Sequence, residues 1–370
     1  MKTALIGWLA AAAVLPLTAG AALAADTPSA ASQPGDASSS QPGQIVAQHL
    51  QGNVWLLAGE PAMSNVAVQL ADEGILVVDT GTRAMAERLL ARIQALGDER
   101  VTDQGAAAIR WIIDTDSGTD HIGGNDVVAK GGRTVVAGNF ARDAASQGLL
   151  NAATIIANVN LLAHLVAYNA QAPQDQQVTL PENAIDADVY DTYFDGEALQ
   201  LFHPHAAVSD DDPMVLFRRS DVIAAGDVVD MTGYPRIDVA QGGSIDGELV
   251  ALNRIIELAV PVDKQEGGTL IIPGHGRLCD QSDVVHYKNV MTIIRNRVQF
   301  YKNQGRTLEQ VLGLKPSQDY DARWGSSSSG WTGQDFVAAI YRTLPARGPS
   351  FSMQNETVVP ADAKVGGRVF

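Results

Sequence analysis

Short apolar runs recur along the chain, each closed by glycine, proline or acidic residues. Residues 54–58, 65–70 and 75–79 alternate or run apolar, and Ala71-Asp72-Glu73-Gly74 separates the last two as a hairpin turn. Residues 109–114 read as a buried strand, followed by 134–137, 199–203 and 269–272. A second hairpin joins 214–217 to 222–225 around Arg218-Arg219-Ser220-Asp221. Helical periodicity occupies 85–96, 126–130, 246–258 and 283–303, with shorter helices at 308–312 and 334–344. Residues 141–167 read as largely helical and apolar. Residues 168–195, with Pro173 and Pro181, read as a long irregular loop suited to a lid or pocket wall. The polar loop holding Trp324 and Trp331 is a second candidate wall. Hairpins, then helix–strand units, then hairpins and another helix–strand unit fit an α+β fold. Two mixed sheets pack together with helices outside.

The two ends differ in character from this body. Lys2, an apolar run over 4–22 and the small-x-small sequence Ala22-Leu23-Ala24 make residues 1–24 a signal peptide, with cutting expected before Ala25. Pro16 interrupts that run, which is barely long enough to span a bilayer. No cysteine follows it, so lipoprotein attachment is excluded. Residues 25–44, rich in Ser, Ala, Pro and Gly, read as a disordered leader. The expected product is periplasmic or secreted, with no stable membrane span after cleavage. The folded domain is expected over 45–345, with an insertion at about 141–195, a helical C-terminal part at about 280–345 and a tail at 346–370.

Composition narrows the partners. The 370 residues are 46% apolar and carry a net charge of -16. That acidity argues against nucleic acid, which needs basic stripes, and leaves a small-molecule substrate. The one cysteine, Cys279, cannot form an internal disulfide and reads as packed beside a strand end. Oligomeric state has no signature in the sequence.

The chemistry gathers at three strand ends. Asp120-His121 lies in Thr115-Asp116-Ser117-Gly118-Thr119-Asp120-His121-Ile122-Gly123-Gly124-Asn125, Asp227 follows Gly226, and His275 lies in Pro273-Gly274-His275-Gly276. Singly, each has an ordinary structural explanation as a turn, cap or loop residue. Together, two imidazoles and two carboxylates make a plausible shell for one Zn2+, Fe2+ or Mn2+ ion. Asp120, His121 and His275 would hold it, with Asp227 bridging or completing the set.

These residues resemble the metallo-beta-lactamase superfamily. The resemblance is carried by Asp120-His121-Ile122-Gly123-Gly124-Asn125, Gly226-Asp227 and Pro273-Gly274-His275-Gly276. Val78-Asp79-Thr80-Gly81 is similar to the family's N-terminal signature, and Tyr234-Pro235-Arg236-Ile237-Asp238 with Gly242-Gly243-Ser244 to a segment of hydrolase members. It extends from about residue 52 to 344. The resemblance implies a four-layer αβ/βα sandwich, zinc as cofactor, and a metal-bound hydroxide attacking an ester, lactone, thioester or β-lactam.

The chain also departs from the family's His-x-His-x-Asp-His pattern. Asp116 and Gly118 stand where two histidines are expected, and Val208 stands for a third. The three-histidine site is therefore expected to be lost, and the other site, Asp120, His121, Asp227 and His275, to serve one ion. Asp120 and Asp116 are the candidate catalytic carboxylates. Asp116 reads equally as an oxygen ligand or base and as an ordinary loop residue. His205 is a poor substitute ligand, three residues out of register, and His164 reads as a packed histidine. The competing function is a non-catalytic relative that binds a metal or small ligand without turnover.

Overall fold

The computed structural model describes residues 43–72, 74–100, 108–133, 152–264, 267–325, 330–348, 350–351 and 358–359. Among them run two sheets. The larger takes its strands in sequence order: β1 Val46–His49, β2 Val54–Ala58, β3 Val66–Ala71, β4 Gly74–Val78, β5 Ile109–Ile113, β6 Thr154–Asn158 and β7 Asn183–Ile185. Strands β1 to β4 pair antiparallel, and β4 to β7 pair parallel. The smaller sheet contains β8 Val189–Phe194, β9 Glu197–Phe202, β10 Met214–Phe217, β11 Val222–Ala224 and β12 Leu270–Ile272. Only its β11–β12 pair is parallel.

Side-chain alternation explains why these strands read as unbroken apolar runs. In β4, Leu76 and Val78 face the second sheet, while Ile75 and Val77 face a helix layer. In β10, Val215 and Phe217 face the first sheet and Met214 and Leu216 the opposite helices. A strand buried on both faces has no polar side to show. The result is four layers.

Helices α1 Ala86–Arg100 and α3 Asn125–Lys130 cover the first sheet. Helices α5 Ile245–Leu258, α6 Gln281–Asn303 and α9 Gly333–Thr343 cover the second. Ser244 and Asp280 cap α5 and α6 by accepting from backbone N–H groups three residues on. The remaining helices are α2 Thr119–Ile122, α4 Val159–Gln171, α7 Leu308–Gly313 and α8 Gln318–Trp324, and a two-strand ribbon pairs β13 Ser350–Phe351 with β14 Val358–Val359.

The expected α+β sandwich is therefore present, with three local corrections. The stretch 141–167, expected to be helical, contains β6 before α4 begins at Val159; residues 141–151 lie outside the described residues. Thr154, Ile155 and Ile156 pair with β5, so parallel sheet pairing overrides helical periodicity there. The loop expected at 168–195 holds β7 and β8. Their alternation is weak because β8 lies at a sheet edge with exposed Val189, Tyr190 and Tyr193. Finally, Trp324 ends a helix and is buried rather than lining a loop. Its ring meets Tyr287 at 5.0 Å, and Trp331 packs on the same core. The expected signal peptide, the strand expected at 134–137 and most of the expected leader and tail lie outside the described residues.

Leu76 is fully buried between the sheets. Leu76→Ala removes that contact and leaves a cavity, so urea denaturation is expected to show a loss of about 2–5 kcal/mol.

Candidate metal centre

The parallel strands end on one side, and their C-terminal ends converge there. This is where open parallel sheets leave a crevice for ligands. Strand β4 delivers Asp79, β5 delivers Asp114-Thr115-Asp116, β11 delivers Asp227 and β12 delivers His275. The glycines in between permit close approach. Gly226 has φ +53, and a Cβ there would lie 2.7 Å from Thr115 Oγ1. A Cβ on Gly274 would lie 2.3 Å from Asp227 Oδ1. Both positions exclude side chains, and Gly226 also needs a left-handed backbone.

His121 is the fixed point. It is fully buried, with Nδ1 3.0 Å from Asp79 Oδ2 and Nε2 3.1 Å from Asp227 Oδ1. Asp79 is itself held. It accepts from Thr115 N at 2.8 Å and from Thr115 Oγ1 at 2.6 Å, with φ +62. His275 Nε2 lies 3.2 Å from Asp120 Oδ2 and 3.6 Å from Asp227 Oδ1. Its loop is pinned to β3 by Asn65, whose Nδ2 donates to Pro273 O and Gly276 O, each at 2.9 Å. The turn carrying His121 is pinned to β4, since Thr80 N donates to His121 O at 2.7 Å and Thr80 Oγ1 to Asn125 Oδ1 at 2.7 Å.

One donor atom each from Asp120, His121 and His275 lies within 4.8 Å of the others. Asp227 contacts both imidazoles, so all four predicted ligands share one space. Two imidazole nitrogens and two carboxylates are a donor set that suits zinc and related divalent ions, so the residues fit the metal the family implies. Asp116 lies beside this set and is grouped instead with Asp211 and Asp212. His205 is exposed against Asp188, and His203 Nε2 meets Asp210 O at 2.8 Å. His164 Nε2 meets Asp210 Oδ1 at 2.6 Å. Val208 is buried. Asp79 was visible only as part of a signature; the strand register that brings it under His121 is a tertiary fact.

The electrostatics follow from burial and neighbours. Burial pulls the His121 pKa down, but Asp227 and Asp79 outweigh it and raise it well above the usual imidazole value. His275 is also lowered by burial and raised on balance by Asp120 and Asp227. Burial would raise Asp227, yet His121, His275 and Arg236 hold it well below the usual carboxylate range. Burial raises the Cys279 thiol, which stays a packed group.

A cleft of about 610 Å³ opens over this set. Asp120, Asp227 and His275 lie at its floor, with Arg83 and Arg236 at its rim and Tyr168, Gln176 and Val178 along one side. The loop after α4 thus lines the cleft as expected; neither Trp324 nor Trp331 does.

The profile of the metallo-beta-lactamase superfamily matches residues 59–275, more than half of the chain. The chain belongs to the metallo-beta-lactamase superfamily. No curated protein sequence matches it. Among solved structures, the inverting sec-alkylsulfatase Pisa1 from Pseudomonas sp. is 14% identical with a TM-score of 0.57. That match covers 80% of this chain and 50% of the alkylsulfatase, so the chain spans about half that enzyme's length. The metallo-beta-lactamase from Pontibacter korlensis is 17% identical with a TM-score of 0.46, covering 67% of this chain and 99% of that one. At these identities the alkylsulfatase match supports the superfamily fold alone.

Two predictions follow from His121. Asp79→Asn keeps a residue type tolerant of positive φ but removes the charge behind the imidazole, so zinc affinity is expected to fall roughly 10–100-fold by competition with a chelating dye. Both imidazoles have raised pKa values, so zinc must displace protons. Apparent zinc affinity is therefore expected to rise with pH through and above the ordinary imidazole range, with proton release seen calorimetrically in buffers of different ionisation enthalpy.

Proposed function

We propose that the protein is an exported hydrolase of this superfamily that uses one metal ion held by Asp120, His121, His275 and Asp227. The observation that carries the reading is the convergence of these four donors beneath one open cleft, with Asp120, Asp227 and His275 lining it and the buried His121 behind them. An ion bound there lowers the pKa of a coordinated water and polarises a substrate oxygen.

The chain's own residues supply the rest. Asp79 fixes the His121 ring so that Nε2 faces the cleft side. Asp120 lines the cleft and is half-exposed; we assign it the role of receiving the proton from the attacking water. Asp116 does not line the cleft, so we do not give it that step. Arg83 and Arg236 are exposed at the rim, and no carboxylate among the described ion pairs engages either. They favour a substrate with a negative charge beside its reacting bond. An ester, lactone, thioester or β-lactam that carries a carboxylate fits, and the alkylsulfatase on the same fold adds a sulfate ester to the candidates. Export rests on the N-terminal segment 1–24.

Zinc-reconstituted protein is expected to hydrolyse at least one anionic member of a panel of esters, lactones, thioesters, β-lactams and alkyl sulfates, and to lose the activity with a chelator. Asp120→Asn is expected to lower kcat by roughly 100-fold or more. A panel with no turnover from protein that holds one zinc per chain would instead support the non-catalytic binding relative.

A further inference from the structure

Beside the imidazole site lies a second group of acids. Oxygens of Asp116, Asp211 and Asp212 lie within 4.8 Å of one another. Carboxylate oxygens this close can share one ion. Asp211 and Asp212 are fully buried, on the segment between β9 and β10, and Asp116 is half-buried beyond β5. We propose that these three carboxylates bind a hard divalent cation, of the Mg2+, Ca2+ or Mn2+ class, with donors distinct from those of the imidazole site.

The local polar groups leave this cluster short of positive charge. The Ser209 hydroxyl has one proton, yet it lies within hydrogen-bond reach of both Asp211 Oδ1 and Asp212 Oδ1. Ser209 N donates to Asp212 Oδ2 at 2.7 Å. Asp211 Oδ2 is buried and has no hydrogen-bond partner. The described arginine–carboxylate pairs go to Asp283, Asp246, Asp319 and Glu257 instead.

An independent feature points the same way. Glu248, on the first turn of α5, is fully buried and neither of its oxygens has a partner. It follows Ser244 and Gly247, which touch the segment leading to Asp211 and Asp212, so an unpartnered buried carboxyl lies on the helix turn packed against that segment. The end of α5 is pressed onto the same segment: Ser244 N donates to Ala206 O and Ala207 O, each at 3.0 Å, and a Cβ on Gly247 would collide with Ala206 O. Three carboxylates packed in this way, with Glu248 buried on the adjoining helix turn, repel each other unless they share protons or a cation. Gly118 lies between the two groups of acids, since a Cβ there would lie 2.7 Å from both Asp116 Oδ1 and Asp120 Oδ1, and the missing side chain lets the two carboxylates flank it closely. An all-oxygen set selects hard cations over zinc, which prefers the neighbouring imidazoles.

The test uses full-length mature protein loaded with one equivalent of zinc and titrated with Mn2+, followed by electron paramagnetic resonance and by melting temperature. Mn2+ competes poorly for an imidazole site already holding zinc. The expected result is one Mn2+ per chain, displaced by excess Ca2+ or Mg2+, with a rise in melting temperature. Asp211→Asn and Asp212→Asn are each expected to weaken Mn2+ binding roughly tenfold or more. Asp116→Asn, a less buried change, is expected to do the same and covers the case in which the first two fail to fold. His275→Ala is expected to retain the Mn2+. No Mn2+ uptake at millimolar concentration, equal uptake by Asp116→Asn, or loss of uptake in His275→Ala would each overturn the proposal. Uptake is read without any substrate, so an inactive hydrolase leaves this result standing.

Discussion

His121 joins the two halves of the molecule. One ring nitrogen meets Asp79, at the end of a strand in the larger sheet, and the other meets Asp227, just after a strand in the smaller one. A fully buried imidazole between two carboxylates is costly to desolvate, and it is tolerated because each nitrogen has an acceptor or a proton to give. Much of the surrounding structure serves that arrangement. Thr115 holds Asp79 in a left-handed conformation, Gly226 lets Asp227 approach, and Thr80 grips the His121 carbonyl.

The same region holds more carboxyl groups than basic ones. Asp79, Asp114, Asp211, Asp212 and Glu248 are all buried, and of these Asp79 meets an imidazole directly. Burial, reinforced by Asp79, raises the pKa of Asp114 well above the usual carboxylate value, and burial with Asp211 pushes Asp212 up to about 7. Such shifts record the work of placing like charges in low dielectric. In a domain with ordinary marginal stability that work has to be offset, and the sandwich of fully buried Val, Ile and Leu strands supplies the offset. The tight core and the crowded acidic rim are two sides of one design: rigid strand ends hold groups that would otherwise move apart.

A family that builds a pair of metal positions is here divided. The side formed by Asp120, His121, Asp227 and His275 keeps borderline nitrogen and oxygen donors. The other side has exchanged nitrogen for oxygen, with Gly118 and Val208 contributing no donor and Asp116 turned to Asp211 and Asp212. Of the three positions where histidine is expected, only Asp116 keeps a donor, so the groups that gather in that corner are carboxylates and not imidazoles.

The sequence by itself determined the layers and the four converging donors. Strands buried on both faces must read as apolar runs, and glycine beside a chemically active residue at a strand end marks a close approach. Those are local consequences of burial and backbone geometry, so they are legible one segment at a time. It did not determine β6, whose helical periodicity yielded to pairing with β5, or the burial of Trp324. Nor did it reveal that Asp79 supports His121, or that Asp211 and Asp212 gather around Asp116. Each depends on register between segments far apart in the chain, where hydrogen-bond partners and like charges meet only after the sheets have packed. The tertiary structure alone decided which carboxylates face an imidazole and which face one another.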